Sequence, residues 1–398
     1  MTTGIGEGTR ALVAGLNAVG VLPTAYCAAF EAVDRAGFVP ARVWCSGDTG
    51  PGYLAVDRAG DPQAWAKAVY APARTAIVTQ FDDGAVTWPE VGDRPTSSAS
   101  APTAVAGMLR VLGPEPGERI CEVGTGTGYN AALLAEIVGG TGAVTTVEVD
   151  PVVASAARER LAATGYDTER GGGLANVTTW TGDGATVEAP AGQLWDRVIA
   201  TVGVPLGRIP YTWVEHTRPG GVVVAPVYAD FTADPLVRLV VGTDGIARGH
   251  ADAKLTVAFM QLRAERSARA AMNEIRWDDP AAAVRHTTMD PWDPLHDRDW
   301  CWAVAVAMPS CRWHSYPAGR RSPRRLILLA DPVSGAWASV HPDVDGELTV
   351  RQAGPRRLAD EVLAAITWFA RRGAPPLETW LWEVGPDHQS VTLPDTPT

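Results

Sequence analysis

The sequence predicts an α/β chain with a mostly parallel sheet, followed by a smaller α+β unit. Three observations carry this. From Arg119 to Val227 short apolar strands alternate with helical stretches, the order that right-handed crossovers turn into a parallel sheet. The first of those strands runs straight into a glycine-rich turn, Gly124-Thr-Gly-Thr-Gly128. Past residue 263 the alternation stops and consecutive strands take over. With 398 residues, 46% of them hydrophobic, the chain can bury a large core in more than one domain.

The elements follow in order. Between Gly8 and Ala36 apolar residues recur at helical spacing, at Leu12, Leu16 and Val19, then at Tyr26, Phe30 and Val33 beyond a break at Pro23. Residues 41–95 are rich in Gly, Pro, Asp and aromatics, among them Trp44, Tyr53, Trp65, Tyr70 and Trp88; the stretch is expected to cover the mouth of a site, while each aromatic by itself reads as loop-core packing. Arg119 to Val123 is a strand, and a helix follows the glycine turn. Gly142 to Asp150 contains the next strand, and Asp150-Pro151 reads as the cap and first turn of a helix over Val152 to Ala163. Val177–Thr181 and the run Trp195 to Gly203 are further strands. Arg218-Pro-Gly-Gly221 reads as a tight turn before a strand over Val222 to Val227.

The glycine turn is built for a nucleotide-like ligand, because glycines admit positive φ and close approach while the next helix offers free N–H groups. Its spacing is neither the dinucleotide Gly-x-Gly-x-x-Gly nor a phosphate loop ending in Gly-Lys-Ser/Thr. At the carboxyl end of the second strand Glu148 is placed to hydrogen-bond a ribose diol, leaving Asp150 as the helix cap.

This ordered set resembles the protein-L-isoaspartate O-methyltransferase family. The residues that carry it are Glu122-Val-Gly124-Thr125-Gly126-Thr-Gly128-Tyr129-Asn130, the acid at Glu148, Gly182-Asp183-Gly184, Trp195 to Gly203 and Arg218 to Gly221, with Phe38-Val-Pro40 and Ser98-Ala-Ser100-Ala-Pro102 upstream. Leu255 to Leu262 resembles the strand that ends the family's catalytic domain. The resemblance implies a Rossmann-like class I fold that uses S-adenosylmethionine and releases S-adenosylhomocysteine. It implies that the turn with Glu122, Tyr129 and Asn130 holds the amino acid end of that cofactor, that Glu148 holds the ribose, and that Asp183 and Gly184 approach the adenine. It divides the chain into N-terminal helices with an active-site cover (1–95) and a methyltransferase domain (96–263); past 263 the family pattern stops, leaving a C-terminal α+β domain (264–398) whose Trp and Arg residues suit peptide recognition.

Methyl transfer to a carboxylate needs no strong base, since the acceptor is ionised at neutral pH. Positioning and removal of water carry the catalysis, and hydroxyl donors suit this better than a fixed cation. By the resemblance Ser100, with Ser98 beside it, contacts the acceptor carboxylate. Ser100 also stands where it could cap a helix starting near Pro102. The family's Gln-Thr-Ile-Ser reads Ser97-Ser-Ala-Ser100 here, and its His-Met-His reads Thr103-Ala-Val105. Those departures, with the extra C-terminal domain, resemble the longer actinobacterial relatives that act on constrained ribosomal peptides. The expectation is therefore methylation of an ordinary Asp leading to aspartimide. Repair of isoaspartate in damaged proteins is the alternative, and a catalytically silent peptide-binding protein is a third reading.

Arg324–Asp331, Ala336–His341 and Glu347–Arg351 read as strands, Leu358 to Arg372 as an amphipathic helix, and Leu377 to Val384 as the strand that closes their sheet. Arg320, Arg321, Arg324 and Arg325 could meet an acidic peptide. Composition excludes several classes. A net charge of −11 without a long basic run argues against nucleic acid, and the near absence of lysine, with only Lys67 and Lys254, reflects compositional bias. No run of about 18 apolar residues suggests a membrane span, and the N-terminus lacks a signal-peptide pattern, so a cytoplasmic protein is expected. Five cysteines without Cys-x-x-Cys spacing and seven scattered histidines give no metal site.

Overall fold

A computed structural model describes residues 3–46, 52–71, 76–166, 176–231, 235–263, 275, 277, 279–317, 325–342 and 347–394. Helices α1 (Thr3–Ala18) and α2 (Cys27–Ala32) bury Leu12, Leu16 and Phe30, as their spacing predicts. Val19 lies past the end of α1 and is exposed.

The stretch before the methyltransferase strands forms its own antiparallel sheet. Strands β1 (Arg42–Ser46), β2 (Tyr53–Asp57), β3 (Ile77–Phe81) and β4 (Pro95–Ala99) lie in the order β2-β1-β3-β4, with helix α3 (Pro62–Tyr70) between the second and third. Its aromatics pack inside this unit, as each reads by itself in the sequence. Trp44 and Tyr53 both meet Phe81 edge to face, at 5.1 and 5.2 Å. The Trp65 indole donates to the Pro40 carbonyl, and the Tyr70 hydroxyl donates to Asp34.

Helix α4 (Pro102–Leu112) leads into the alternating region: β5 (Arg119–Val123), α5 (Tyr129–Val138), β6 (Ala143–Glu148), α6 (Pro151–Thr164), β7 (Val177–Thr181), β8 (Trp195–Ala200), β9 (Val204–Pro205), α7 (Tyr211–Glu215) and β10 (Thr217–Tyr228). Strands β10-β8-β5-β6-β7 are parallel, and antiparallel β11 (Pro235–Val241) and β12 (Ala247–Thr256) extend the sheet beyond β10. This is the Rossmann-like class I methyltransferase fold with a mixed sheet. Asp150 caps α6 as expected, its Oδ1 accepting from the N–H groups of Val152 and Val153.

Two local expectations are corrected. Arg218–Gly221 is not a turn before a strand but an irregularity within β10, whose pairing with β8 jumps from Thr217 to Val222. A side chain at Gly221 would press on the Arg218 and Asp196 carbonyls, both 2.8 Å from its Cβ, so the bulge closes only around glycine. Strand β12 ends at Thr256, and the rest of Leu255–Leu262 crosses the end of the sheet, touching it again where Gln261 bridges to Gly203.

The C-terminal unit holds β13 (Ala283–Thr287), α8 (Trp292–His296), α9 (Arg298–Ala307), β14 (Arg312–Pro317), β15 (Arg325–Asp331), β16 (Ala336–Pro342), β17 (Leu348–Ala353) and α10 (Leu358–Arg371). Its sheet is antiparallel in the order β13-β17-β16-β15-β14. Leu377–Val384 does not close that sheet. Strand β18 (Leu381–Val384) pairs with β12 and β19 (Gln389–Thr392) pairs with β18, so both complete the main sheet. The reason is burial: β12 offers a free edge, and there Trp382 stacks on Trp302 of α9 at 5.4 Å. One apolar cluster consequently runs from Val223 and Val237 of the main sheet to Trp302, Val350 and Phe369. Arg320, Arg321 and Arg324 lie outside the described residues, as does the side chain of Arg325.

Candidate active site

Strand β5 is flanked by β6 on one side and β8 on the other, so successive crossovers leave it in opposite directions. A crevice opens at the carboxyl end of such a strand. The glycine turn sits there. Gly126 has φ +54°, and a Cβ on it would lie 3.2 Å from the Ser98 carbonyl oxygen, so the turn is pressed directly against β4. The Gly126 N–H donates to Glu148 Oε2 at 3.0 Å, and the Asp150 N–H donates to Oε1 at 3.1 Å. Burial pushes the Glu148 carboxyl up, against these two hydrogen bonds and the charge of Arg263.

Beneath the turn, Glu122 is fully buried, accepting from Asn130 Nδ2 at 2.7 Å and Thr146 Oγ1 at 2.6 Å. Desolvation dominates those bonds and pushes its carboxyl up to about 7. Thr125 shares a 2.7 Å hydrogen bond with Thr146. Tyr129 is wedged between Phe30 and Phe38, with ring centroids 6.4 and 5.8 Å away. Asp183 accepts from the Ala185 N–H at 2.9 Å.

One cleft brings together Ser98, Ser100, Glu122, Gly124, Thr125, Gly126, Tyr129, Asn130, Glu148, Asp183 and Gly184. Gly128 is the exception. It does not line the cleft but begins α5 at φ +89°, backed by Leu161. Ser100 does not cap α4: Ala101 holds the cap position with no side-chain bond, and the Ser100 hydroxyl has no partner among the described residues. Of the positions where the sequence departs from the family, Ser97, Ser98 and Val105 line the cleft.

Sequence reasoning missed the opposite wall, made by Thr201, Val202 and Phe259 to Arg263. It also missed a polar ring at the mouth. Gln80 Nε2 donates to Asp150 Oδ2 at 3.1 Å, Thr96 Oγ1 donates to Gln80 Oε1 at 2.8 Å, and the Asp83 N–H donates to Thr96 Oγ1 at 3.1 Å. Arg263 closes the ring, 3.0 Å from Asp83 and 3.7 Å from Asp150. These residues are scattered over the sequence, and no local pattern marks them.

The chemistry of the donor set fits S-adenosylmethionine. Glu122, Glu148 and Asp183 give the cleft acidic groups against one lining cation among the described residues, Arg263, which suits a positively charged ligand. A buried, partnerless Asn130 Oδ1 beside Glu122 offers a further acceptor. With that cofactor bound, Glu148 would hold the ribose diol and Glu122 with Asn130 would face the cationic amino group of its amino acid end. Among the described residues no His/Cys/Asp/Glu group could hold a metal, and no helix is long and apolar enough to cross a membrane.

A pH dependence follows. Glu122 is protonated in the folded protein below about 7, whereas an unfolded carboxyl ionises near 4.5. Its folded pKa is raised, so its contribution to stability is present at low pH and lost as pH climbs through that interval. The net positive charge of S-adenosylmethionine favours the ionised form, so affinity for S-adenosylmethionine should rise between pH 6 and 8, by up to about tenfold. Titration calorimetry across that range checks it, and Glu122→Gln should flatten the profile.

The family profile described as Protein-L-isoaspartate(D-aspartate) O-methyltransferase (PCMT) matches residues 63–265. The protein-L-isoaspartate O-methyltransferase of Ignicoccus hospitalis is 36% identical over 163 residues, 41% of this chain and 71% of that protein. The corresponding protein of Methanopyrus kandleri is 42% identical over 128 residues, 32% of this chain and 52% of that protein, so the chain spans about half of this second relative. A solved structure named protein-L-isoaspartate O-methyltransferase is similar in fold over 96% of this chain and 99% of its own, with a TM-score of 0.52 at 19% identity.

Proposed function

The chain belongs to the protein-L-isoaspartate(D-aspartate) O-methyltransferase family, an S-adenosylmethionine-dependent protein carboxyl O-methyltransferase, and we propose that its acceptor is the free carboxylate of an isoaspartyl residue. The observation that carries this reading is the contact between Gly126 and the Ser98 carbonyl, which makes the cofactor turn and the serine strand two walls of one cleft. Bound S-adenosylmethionine supplies a methyl group on a positively charged sulfur. Ser98 and Ser100 hold the carboxylate by hydroxyl donation, with Phe259 and Val105 excluding water. A carboxylate oxygen would take the methyl carbon as the carbon–sulfur electron pair returned to sulfur, giving a neutral ester and a thioether with no proton transferred. The next backbone nitrogen of the peptide then displaces methanol from the ester, losing its proton, and a succinimide forms.

The sequence alone favoured an ordinary Asp in a constrained ribosomal peptide. The relatives support the isoaspartyl acceptor better. The C-terminal domain no longer argues against it, since the fold match covers nearly the whole chain. The constrained peptide stays as a second reading because Ser97 and Val105 line the cleft where the family has Gln and His. We also keep a peptide-recognition role for residues 264–398, and infer a cytoplasmic setting from the five free cysteines.

Mass spectrometry of three peptides incubated with S-adenosylmethionine tests the acceptor: a linear isoaspartyl peptide, its aspartyl isomer, and a cyclised aspartyl peptide. Methylation of the isoaspartyl peptide alone supports the proposal, and methylation followed by net loss of water on the cyclised peptide alone replaces it with the second reading. The roles separate by mutation. Ser100→Ala should lower kcat by roughly 10- to 100-fold, the worth of a hydrogen bond to a charged group, with affinity for S-adenosylhomocysteine little changed. Glu148→Ala should instead weaken that affinity by at least about tenfold. Equal loss of cofactor binding in both variants would contradict the division.

A further inference from the structure

A buried arginine stands behind the serine strand. Arg35 is 1% exposed, and no carboxylate pairs with it among the described residues. Its two terminal nitrogens donate to main-chain carbonyls instead, while Nε is buried without a partner among the described residues. Nη1 donates to Val69 O at 2.5 Å, and Nη2 donates to Ser100 O at 2.9 Å and Ala99 O at 3.4 Å. The guanidinium carbon lies 5.8 Å from the ring centroid of Tyr129, the first residue of α5 after the glycine turn. Burial lowers its pKa to about 10, which leaves it charged at neutral pH.

Burying a cation without a counter-ion costs several kcal/mol, so a neutral side chain would serve better if only packing were needed. The charge is spent on two successive carbonyls of the acceptor segment. Holding both from behind fixes the peptide planes at Ala99 and Ser100, and with them the direction of the Ser100 side chain. That side chain lines the cleft and makes no capping bond.

Building on the acceptor reading above, we propose that Arg35 is a positioning residue for methyl transfer, clamping the Ala99 and Ser100 carbonyls so that the Ser100 hydroxyl faces the acceptor carboxylate. It acts through Ser100 and touches neither substrate nor cofactor. A core arginine that merely ties α3 to β4 makes a different prediction, in which stability, cofactor binding and turnover fall together.

The experiment compares wild type, Arg35→Lys, Arg35→Gln, Ser100→Ala and the double variant Arg35→Lys/Ser100→Ala. It reads Tm, S-adenosylhomocysteine affinity by calorimetry, and kcat and KM with an isoaspartyl peptide. Expected for Arg35→Lys is a folded protein whose cofactor affinity is within about threefold of wild type and whose kcat falls at least about tenfold. The double variant should be within about threefold of the slower single variant, because one residue works through the other. Losses that multiply in the double variant, an unchanged kcat, or cofactor binding that falls in step with kcat would each overturn the proposal. So would failure of both Arg35 variants to fold.

If wild type methylates no isoaspartyl peptide, the acceptor reading fails and Arg35 is judged without turnover. Alkylation of a Ser100→Cys variant by iodoacetamide, mapped by mass spectrometry, should slow at least about fivefold when Arg35→Lys is added, because the thiol no longer faces the cleft. Equal rates would overturn the clamp.

Discussion

Gly126→Val should raise the dissociation constant for S-adenosylhomocysteine by at least about a hundredfold, equivalent to roughly 2.7 kcal/mol. Two costs add. The residue sits at φ +54°, which for a β-branched side chain costs about 1–2 kcal/mol. Its first side-chain carbon would meet the Ser98 carbonyl oxygen at 3.2 Å, and the two methyl groups beyond it have no room without parting the turn from β4. Any such movement also breaks the hydrogen bond from the Gly126 N–H to Glu148, so the damage reaches the acid assigned to the ribose. Calorimetry measures it directly. Unchanged affinity would remove the glycine turn from the cofactor site.

Trp302→Ala should cost about 3–5 kcal/mol of stability, the usual range for deleting a buried Trp. Trp302 is 1% exposed and stacks on Trp382, so it joins a helix of the C-terminal unit to a strand of the main sheet. Both indole N–H groups are buried without partners. Trp302→Phe therefore removes an unsatisfied donor while keeping most of the apolar contact, and should cost less than half as much. Urea unfolding of the two variants checks the pair. A loss below about 1 kcal/mol in Trp302→Ala would mean that this contact does not hold the two units together.

The alternating region was legible in the sequence because each signal there is local. Apolar strand, glycine turn, terminal acid and capped helix follow one another within a few residues, and β5, β6, α6, β7 and β8 fall where their patterns place them. What was not legible depends on distant partners. The run after α10 reads as a strand from its own residues, yet nothing in Leu381–Val384 says that its partner is β12 rather than a neighbour in the C-terminal sheet. Residues 41–95 read as a site cover, but which of them reach the cleft is not a local signal: Trp44 and Tyr53 pack on Phe81, while Gln80 and Asp83 join the polar ring at the mouth. At the site the same limit applies. Glu148 and the glycine turn announce themselves, whereas the ring through Gln80, Asp83, Thr96, Asp150 and Arg263 exists only once three separate segments meet.

The placement of β18 and β19 has a consequence for biogenesis. During synthesis the ribosome releases β12 about 125 residues before the hairpin that covers it. Throughout that interval the nascent methyltransferase sheet carries an open edge, a template on which neighbouring chains on a polysome can pair. Arg248, His250, Asp252 and Lys254 on β12 set charged and polar side chains along that strand. Charges on an edge strand oppose such pairing, and in the finished chain Arg248 becomes the ion-pair partner of Glu383 on the strand that covers it.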